Sequence, residues 1–460
     1  MISSFTHAQL LPTWFRRVSL LGAAFSLAST MALQAQTVRP FTVGNYVVVR
    51  IGDGSAALSS AATATYLAEY SPTGTLVQQV SLPTTDALPN LALTASGSAT
   101  SDANLTRSAD GRYLVLTGYN APVGTASVTG TTAATTNRVI GRIAADGTIN
   151  TTTRISDAFD ANNIRAAVSA NGSTFYAVGA NGGVRFLPLG NTGPTTALST
   201  GTPTNLRTIN IVGGNLYVGA SSSNSYGVLQ VGSGLPVAAG QAFTLLPGFP
   251  VASGPSSFSF FFTDQSPTVP GLDVVYVADD RTPTGGGIQK WSLVGGTWTL
   301  NGTIASATAA LRGLTGKTTG TVVTLVATGA SGLYSVDDAA GYNVAPSTAT
   351  LPAALVTAPT NTTFRGVALA PTATALAARS APGTSEAALT TFPNPVQQQL
   401  TVRLAAGSAG HLAEVRDLLG RLQCKRVLPV SGQLDLTALP SGTYLLTIDG
   451  KMTQRISKAE

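Results

Sequence analysis

The chain has 460 residues, of which only 10% are charged, and its formal net charge at neutral pH is +6. Most of this excess lies near the two ends, because residues 36–391 hold 16 Lys and Arg against 15 Asp and Glu. A segment so close to neutrality lacks the electrostatic footprint that a polyanion requires, so we expect no nucleic-acid partner.

The first 35 residues have the features of a secretory signal peptide. Arg16 and Arg17 precede an apolar run at 18–33, and the small residue Ala35 closes the segment. A membrane anchor is the alternative, but Ser, Gly and Thr interrupt the run, and a span needs about 20 apolar residues. We predict cleavage after Ala35, Sec-dependent export to the periplasm, and no integral membrane span in the remaining chain.

The next segment, residues 36–370, has the pattern of an all-β body. Short β-prone runs alternate with turns rich in Gly, Asn and Asp, and no apolar stripe at helical spacing interrupts them. Clear examples, in chain order, are residues 46–49, 113–116, 216–218 and 274–277.

A repeated unit divides this body. It consists of an apolar residue and an Arg, then a turn, a β-strand and a Gly-containing turn. The clear copies begin at Arg165, Arg207, Arg312 and Arg365, a copy at Phe258 lacks the Arg, and a looser copy contains Arg107. From Arg165 onward the starts are 42 to 54 residues apart, which is the size of a four-stranded propeller blade.

The repeat predicts a β-propeller-like fold with six blades, or seven if residues 83–153 hold more than one. The last body strand, at 364–370, has no blade of its own. We expect it to join the strands at 46–51, 66–70 and 76–82, because this closes the ring and leaves no sheet edge open.

The recurring arginines have two interpretations. If they converge on the central channel, their guanidinium groups would bind an anionic or sugar ligand. If each instead pairs with a neighbouring carboxylate or carbonyl, they brace adjacent blades. The candidate ligand-binding residues are Arg107, Arg165, Arg207, Arg312 and Arg365.

The body lacks the residues of several common catalytic sites. The two histidines are His7 and His411 and the one cysteine is Cys424, so all three lie outside it. A Ser-His-Asp triad, a Cys nucleophile and a zinc site of the usual type are therefore excluded from the body. The sequence therefore assigns no catalytic residue.

Calcium is the one possible cofactor, and its candidate ligands are Asp279, Asp280, Asp337 and Asp338. The alternative is that these Asp pairs make local turn hydrogen bonds.

Residues 371–391 are rich in Ala, Thr, Ser and Pro and are predicted to be a flexible linker. Residues 392–460 follow, with β-prone runs at 400–404, 413–417, 433–436 and 443–448. This pattern predicts a small C-terminal β-sandwich.

Several motifs of this tail resemble those of the type A C-terminal sorting domains of the type IX secretion system of Bacteroidetes-type bacteria. The residues that carry the resemblance are Phe392, Pro393, Asn394, Pro395, Gly420, Leu439, Pro440, Gly442, Tyr444, Lys451 and Arg455. The resemblance spans 392–458. It implies recognition by the type IX translocon, removal by its sorting peptidase, and a mature protein that is secreted or held on the outer cell surface.

These observations favour a non-catalytic module that binds a glycan or a protein outside the cell. The alternative is an extracellular carbohydrate-active hydrolase or lyase that uses Asp carboxylates. Apart from Asp, the acidic residues between 36 and 391 are only Glu69 and Glu386, so the stock of candidate acid–base groups is small.

Overall fold

The computed structural model describes residues 38–373, 389–404, 408–417, 421–450 and 452–459. The chain divides into two compact units between Ala373 and Thr374. The predicted signal peptide and most of the predicted linker lie outside the described residues. Within the described ranges, no helix has the length and apolar character to cross a membrane.

The described part of the first unit is built of 26 β-strands and one 3-10 turn at Val128–Gly130. In chain order the strands are β1 (Tyr46–Ile51), β2 (Ala62–Thr63), β3 (Thr65–Tyr70), β4 (Leu76–Ser81), β5 (Ala95–Ser96), β6 (Leu105–Arg107), β7 (Tyr113–Tyr119), β8 (Arg138–Ala144), β9 (Ile149–Ile155), β10 (Ile164–Val168), β11 (Thr174–Gly179), β12 (Val184–Pro188), β13 (Thr196–Ser199), β14 (Leu206–Val212), β15 (Asn215–Ser222), β16 (Ser225–Val231), β17 (Phe243–Leu245), β18 (Ser257–Thr263), β19 (Val274–Asp279), β20 (Gly287–Val294), β21 (Thr297–Ala305), β22 (Gly313–Thr319), β23 (Val322–Gly329), β24 (Gly332–Asp338), β25 (Val356–Thr357) and β26 (Thr363–Leu369).

Twenty-four of these strands form six antiparallel four-stranded sheets, which are the blades of a propeller. Blade 1 has the order β26-β1-β3-β4, and blades 2 to 6 have the orders β6-β7-β8-β9, β10-β11-β12-β13, β14-β15-β16-β17, β18-β19-β20-β21 and β22-β23-β24-β25. The first strand of each blade contacts the first strand of the next, from β26 through β6, β10, β14, β18 and β22 back to β26. These six innermost strands surround the central channel. The short strands β2 and β5 pair separately.

The ring closes as the sequence predicts. The last strand of the body, β26, pairs with the first strand, β1, and Tyr46 lies opposite Leu369. Blade 1 therefore combines one strand from the end of the body with three from its beginning. The number of blades is six, and the seven-blade alternative is wrong because residues 83–153 supply a single four-stranded sheet.

Each blade packs against both of its neighbours. Side chains that alternate along a strand contact one neighbouring blade and the other in turn. In β1, Val47 and Val49 belong to the core that blades 1 and 2 share, while Tyr46 and Val48 belong to the core shared with blade 6. Successive side chains of a strand point to opposite faces of its sheet. Both faces are buried here, so the strands carry nearly continuous apolar runs, and each fully buried Val contributes about 1.5–3 kcal/mol.

The second unit contains β27 (Thr390–Phe392), β28 (Gln399–Arg403), β29 (Leu412–Asp417), β30 (Leu422–Val427), β31 (Gln433–Asp435), β32 (Gly442–Ile448) and β33 (Met452–Lys458). They form a three-stranded sheet, β27-β28-β31, and a four-stranded sheet, β30-β29-β32-β33. Leu400 and Leu434 from the first sheet pack with Val415, Leu446 and Ile456 from the second. The C-terminal β-sandwich of the sequence analysis is thus confirmed.

Candidate functional site

The pairing of the innermost strands is irregular where the repeated unit begins. Register shifts enclose Arg165 in β10, Arg207 in β14, Phe258 in β18 and Arg365 in β26. A β-bulge inserts an extra residue and changes the direction of its side chain. The three arginines are therefore released from the alternation that packs their neighbours between blades, whereas Phe258 still packs in the core that blades 5 and 6 share.

Three of the predicted arginines line one small cavity of about 10 Å³, which is room for about one water molecule. Its lining residues lie at or just before the beginnings of the innermost strands, which places the cavity at one end of the central channel. We call it the mouth cavity. Its lining includes Asp102, Asn104, Arg207, Phe258, Arg312 and Arg365.

Arg207 and Arg312 flank Phe258 and share one carboxylate. Their guanidinium carbons lie 4.4 and 5.4 Å from the centre of the Phe258 ring, which is close enough for cation–π attraction. Arg312 donates from Nε to Asp280 Oδ2 over 2.9 Å, whereas Arg207 Nη1 is 3.7 Å from Asp280 Oδ1. Asp280 is thus held tightly by Arg312 and only loosely by Arg207.

Arg207 keeps unused donor capacity at the cavity. Its Nη1 donates to Ser256 Oγ over 3.0 Å, but its buried Nε has no hydrogen-bond partner. Burial lowers the pKa of Arg207, and the like charge of Arg312 lowers it further, while Asp280 acts in the opposite direction. A buried donor without an acceptor typically costs about 1–3 kcal/mol.

Arg165 lies beside this group and braces two blades. It donates from Nε to Ser101 Oγ over 3.0 Å and from Nη1 to the Leu206 carbonyl over 3.1 Å, and it also bonds Asn205 Oδ1. Burial, followed by the like charge of Arg207, lowers the pKa of Arg165 to about 10.

Arg365 is an internal brace. It is buried and pairs with the buried Asp102, with 3.4 Å between Arg365 Nε and Asp102 Oδ1. Its other nitrogens bond Thr363 Oγ1 and the carbonyls of Gly97 and Ala99. Burial raises the pKa of Asp102, although Arg365 opposes the shift. Arg365 therefore fixes the loop before β6 against the closing strand.

Asn104 connects three blades across the channel. Its Nδ2 donates to Thr208 Oγ1 of blade 4 over 3.1 Å and to Ser259 Oγ of blade 5 over 3.0 Å. These two residues lie one position beyond Arg207 and Phe258 along their strands. The Asn104 amide therefore forms the floor of the mouth cavity.

Arg107 lies apart from the other arginines. It is the last residue of β6, and it donates to the Gly111 carbonyl over 3.0 Å and to Thr372 Oγ1 over 3.3 Å. The residue of blade 2 that corresponds to the repeated Arg is Thr106, because Asn104–Leu105 matches Asn163–Ile164 and Asn205–Leu206 in the other copies. A shift of one position turns a side chain to the opposite face of the strand.

Three of the four calcium candidates have separate hydrogen-bond partners, and the fourth is exposed. The carboxylate of Asp279 accepts from Arg281 and Gln289, that of Asp280 from Arg312, and that of Asp338 from Tyr276, while Asp337 is exposed. Across the described residues, no group of three or more His, Cys, Asp or Glu side chains is placed to hold a metal ion.

The sorting motifs meet at the edge strand β33. Asn394 accepts from the Ser457 amide over 2.8 Å and donates to the Arg455 carbonyl over 3.2 Å. The amide of Val396 donates to the Ser457 carbonyl over 2.8 Å. The first and last motifs of the tail therefore form one local structure.

The other sorting residues occupy the sandwich and its surface. The Phe392 ring lies 5.0 Å from the guanidinium carbon of Arg403, and Tyr444 Oη donates to the Pro440 carbonyl over 2.8 Å. Leu439 is part of the core, and Gly442 begins β32. Gly420 and Lys451 lie outside the described residues.

The tail matches a known family. Residues 390–459 fit the model of the secretion system C-terminal sorting domain, the Por secretion tail. No protein with a curated description matches the sequence. The family match confirms the resemblance that the tail motifs indicated.

Solved structures with similar folds include PorZ, an essential bacterial surface component of the type IX secretion system of Porphyromonas gingivalis. It is 14% identical, with a TM-score of 0.38, and the alignment covers 91% of this chain and 59% of PorZ. A gluconolactonase from Xanthomonas campestris is 12% identical, with a TM-score of 0.36 and coverage of 80% and 94%. This chain spans only 59% of PorZ, and at such similarity neither protein's activity transfers to it.

The fold and the tail define a class: an exported β-propeller with a C-terminal sorting domain. The tail directs the protein through the type IX secretion system, with whose machinery it interacts, to the cell surface or the medium.

Two residues that shape the mouth cavity, Asp102 and Asn104, were not predicted from the sequence. Asp280 was predicted only as a calcium candidate and not as the partner of two arginines. A signal for Asn104 was present, because Asn precedes the apolar residue in three copies of the repeat. Asp102 and Asp280 had no such signal, since their partners are 263 and 32 residues away in the chain.

Proposed function

We propose that this protein is a non-catalytic binding module that works outside the cell and holds a glycan or protein ligand over the end of the channel where the mouth cavity lies. One observation carries the proposal: the ring brings Arg207, Arg312 and Phe258 together at one end of the channel. Guanidinium groups that converge at the end of a channel present N–H donors that suit polar or anionic groups of a ligand.

The carboxylates at this end favour binding over hydrolysis. A glycosidase needs two carboxyl groups free to act as acid and as base or nucleophile. Here Asp102 pairs with Arg365, and Asp280 pairs with Arg312. Both carboxylates serve as counter-ions in this arrangement, so the hydrolase or lyase alternative gains no support from it.

The two ends of the chain complete the proposal. The signal peptide is cleaved after Ala35, the protein crosses the inner membrane, and the type IX translocon recognises the tail. The sorting peptidase then removes the tail within the linker at 371–391. The sequence predicts a flexible linker there, and cleavage within a flexible linker leaves the folded domains on either side of it intact.

The test is a binding screen of the purified full chain against immobilised cell-envelope and extracellular polysaccharides and surface proteins. The same mixtures are assayed for new reducing ends and for unsaturated products. We expect retention of at least one ligand class without product formation. Product formation would establish the hydrolase or lyase alternative, and failure to retain any glycan or protein would overturn the binding proposal.

A further inference from the structure

Four arginine side chains lie next to one another at the mouth cavity: Arg165, Arg207, Arg312 and Arg365. Burial lowers the pKa of Arg165, Arg207 and Arg365, and the like charge of a neighbouring guanidinium group adds to each shift. The neighbour that acts on Arg165 is Arg207, and the neighbour that acts on Arg207 and on Arg365 is Arg312. The four guanidinium groups therefore repel one another.

The carboxylates nearby do not balance this charge. Two of them pair with the four arginines, those of Asp102 and Asp280. Asp279 is next to Asp280 in the chain, but it pairs at 2.6 Å with Arg281, which is not one of the four. Four positive charges against two negative charges leave an excess of two among the described residues of this cluster. An uncompensated charge costs more in a largely buried position than at an open surface.

The cluster also contains a donor without an acceptor. The buried Nε of Arg207 has no hydrogen-bond partner, although Arg207 lines the mouth cavity. The cavity has room for about one water molecule. A water molecule there would accept from this donor but would leave the excess charge unchanged. A monatomic anion of similar size would accept from the donor and would also offset half of the excess.

From these observations we propose that the mouth cavity is a binding site for a single halide ion, with chloride as its ligand. The ion accepts from Arg207 Nε and lies beside the guanidinium group of Arg312. A hydrogen bond from a charged donor to an anion is about twice as strong as one between neutral groups. The inference goes beyond the proposed function, since the ion lies within the cavity and the glycan or protein would lie over it.

The ion would stabilise the closed ring. Arg365 belongs to blade 1, Arg165 to blade 3 and Arg207 to blade 4, and Arg312 directly precedes the first strand of blade 6. An anion among them reduces the repulsion between groups from four blades. A ligand that binds the folded chain and not the unfolded chain raises the stability of the fold. Chloride should therefore raise the melting temperature of the body.

Asp280 is the resident counter-ion of the same arginines. It lies 2.9 Å from Arg312 Nη2 and 3.7 Å from Arg207 Nη1. Asp280→Asn raises the excess from two positive charges to three. This substitution should therefore strengthen chloride binding. If the arginines only brace the blades, it would weaken the fold without changing the effect of chloride.

The experiment is thermal melting of the full chain in sodium chloride and in sodium gluconate at the same total salt concentration. Gluconate is also an anion, but it is too large for a cavity the size of one water molecule. We expect the melting temperature to rise by about 1–3 °C for each tenfold increase in chloride above its dissociation constant. Arg207→Gln should weaken chloride binding by about tenfold or more, because it removes a charge-assisted hydrogen bond.

Arg107→Gln is the matched control, since it removes a guanidinium group that lies apart from the mouth cavity, and it should leave the chloride dependence unchanged. Bromide is a heavier halide, and anomalous diffraction from crystals of the full chain grown in bromide locates it directly. We expect a bromide peak beside Arg207. Equal melting temperatures in chloride and gluconate, or an unchanged chloride dependence in Arg207→Gln, would overturn the inference. Should Arg207→Gln fail to fold, the bromide map decides, and a map without a peak in the mouth cavity refutes the site.

Discussion

Lys290 shows how a single charge is accommodated inside the packed ring. Its side chain is fully buried on β20, and its ammonium nitrogen lies 2.7 Å from Asp338 Oδ2 on β24 of the next blade. Tyr276 Oη donates to the same Asp338 oxygen over 2.7 Å, and the amides of Ala340 and Ser347 donate to Oδ1. Blades 5 and 6 are thus joined by a satisfied carboxylate and one buried cation.

Removing this carboxylate should destabilise the body strongly. Asp338→Asn leaves the Lys290 ammonium buried without a counter-charge, and breaking a buried pair in this way costs about 3–5 kcal/mol. The matched control is Asp337→Asn, because the neighbouring side chain is exposed and its loss should change stability by about 0.5 kcal/mol or less. Urea unfolding measures both. Similar unfolding midpoints for the two variants would show that the ion pair does not stabilise the ring.

The ionisation of Asp338 should also make the stability of the body depend on pH. Burial acts to raise the pKa of Asp338, but the contacts from Lys290 and Tyr276 outweigh it and lower the pKa below 3.8. The unfolded chain then binds more protons in acid, so this stabilisation is complete above about pH 4 to 5 and is lost as the pH falls through the folded-state pKa. Unfolding curves at about pH 5 and pH 3 should show a smaller loss for Asp338→Asn than for the unchanged chain or Asp337→Asn. Identical losses would contradict the prediction.

The close packing of the innermost strands around the channel requires glycine at two positions. A Cβ at Gly366 would collide with the backbone nitrogen of Leu105, and one at Gly313 would crowd the backbone of β26 at Arg365 and Val367. Backbone atoms cannot move aside as a flexible side chain can. These glycines therefore set how closely β26 approaches its neighbours β6 and β22, and with that the width of the channel at the mouth cavity.

Gly366→Ala should therefore open the contact between β26 and β6. We expect a loss of about 1–3 kcal/mol, which is the usual effect of overpacking, and a lower melting temperature. Gly193→Ala is the control, because no atom lies within 4 Å of a Cβ there and its backbone is not in the left-handed region. Calorimetric melting of both variants gives the comparison. If Gly366→Ala and Gly193→Ala have the same melting temperature, β26 and β6 are not packed as closely as the structure shows.

At the scale of the whole molecule, one unit forms the ring and the other is the C-terminal sorting domain. The first unit ends at Ala373, after the closing strand has paired with β1. The sorting domain at 390–459 has its own core, built from both sheets of the sandwich. Because each unit buries its own apolar residues, removal of the tail leaves the interblade cores of the ring complete.

Deletion of residues 390–460 should therefore block export without unfolding the body. We expect the shortened protein to collect in the periplasm with the thermal stability of the ring retained, since its cores lie within the first unit. Cell fractionation with a periplasmic marker measures its location, and the full chain with Gly193→Ala serves as the control for a substitution that leaves the tail intact. Normal amounts of the shortened protein outside the outer membrane would refute a sorting role for the tail.

Much of this architecture could be predicted from local patterns. The spacing of the repeats at Arg165, Arg207, Arg312 and Arg365 predicts blade-sized units, and the strand left over at the end of the body predicts ring closure. These features are readable because turn residues and strand alternation act within a few neighbours along the chain. The family of the tail could be recognised from the sequence for another reason, because its motifs occur in a fixed order.

The mouth cavity itself depended on long-range pairing. The sharing of Asp280 by two arginines and the bonds of Asn104 to blades 4 and 5 join residues 32 to 155 positions apart. The bulges at Arg207 and Phe258 depend in addition on how β14 pairs with β15 and β18 with β19. Arg107 shows the same limit, because the one-position difference between it and Thr106 is decided by how β6 pairs. Local pattern thus establishes which strands exist and how many blades they form. Which side chains meet in the channel follows from register and ring closure, since these bring together groups whose attraction acts only over a few ångströms of space.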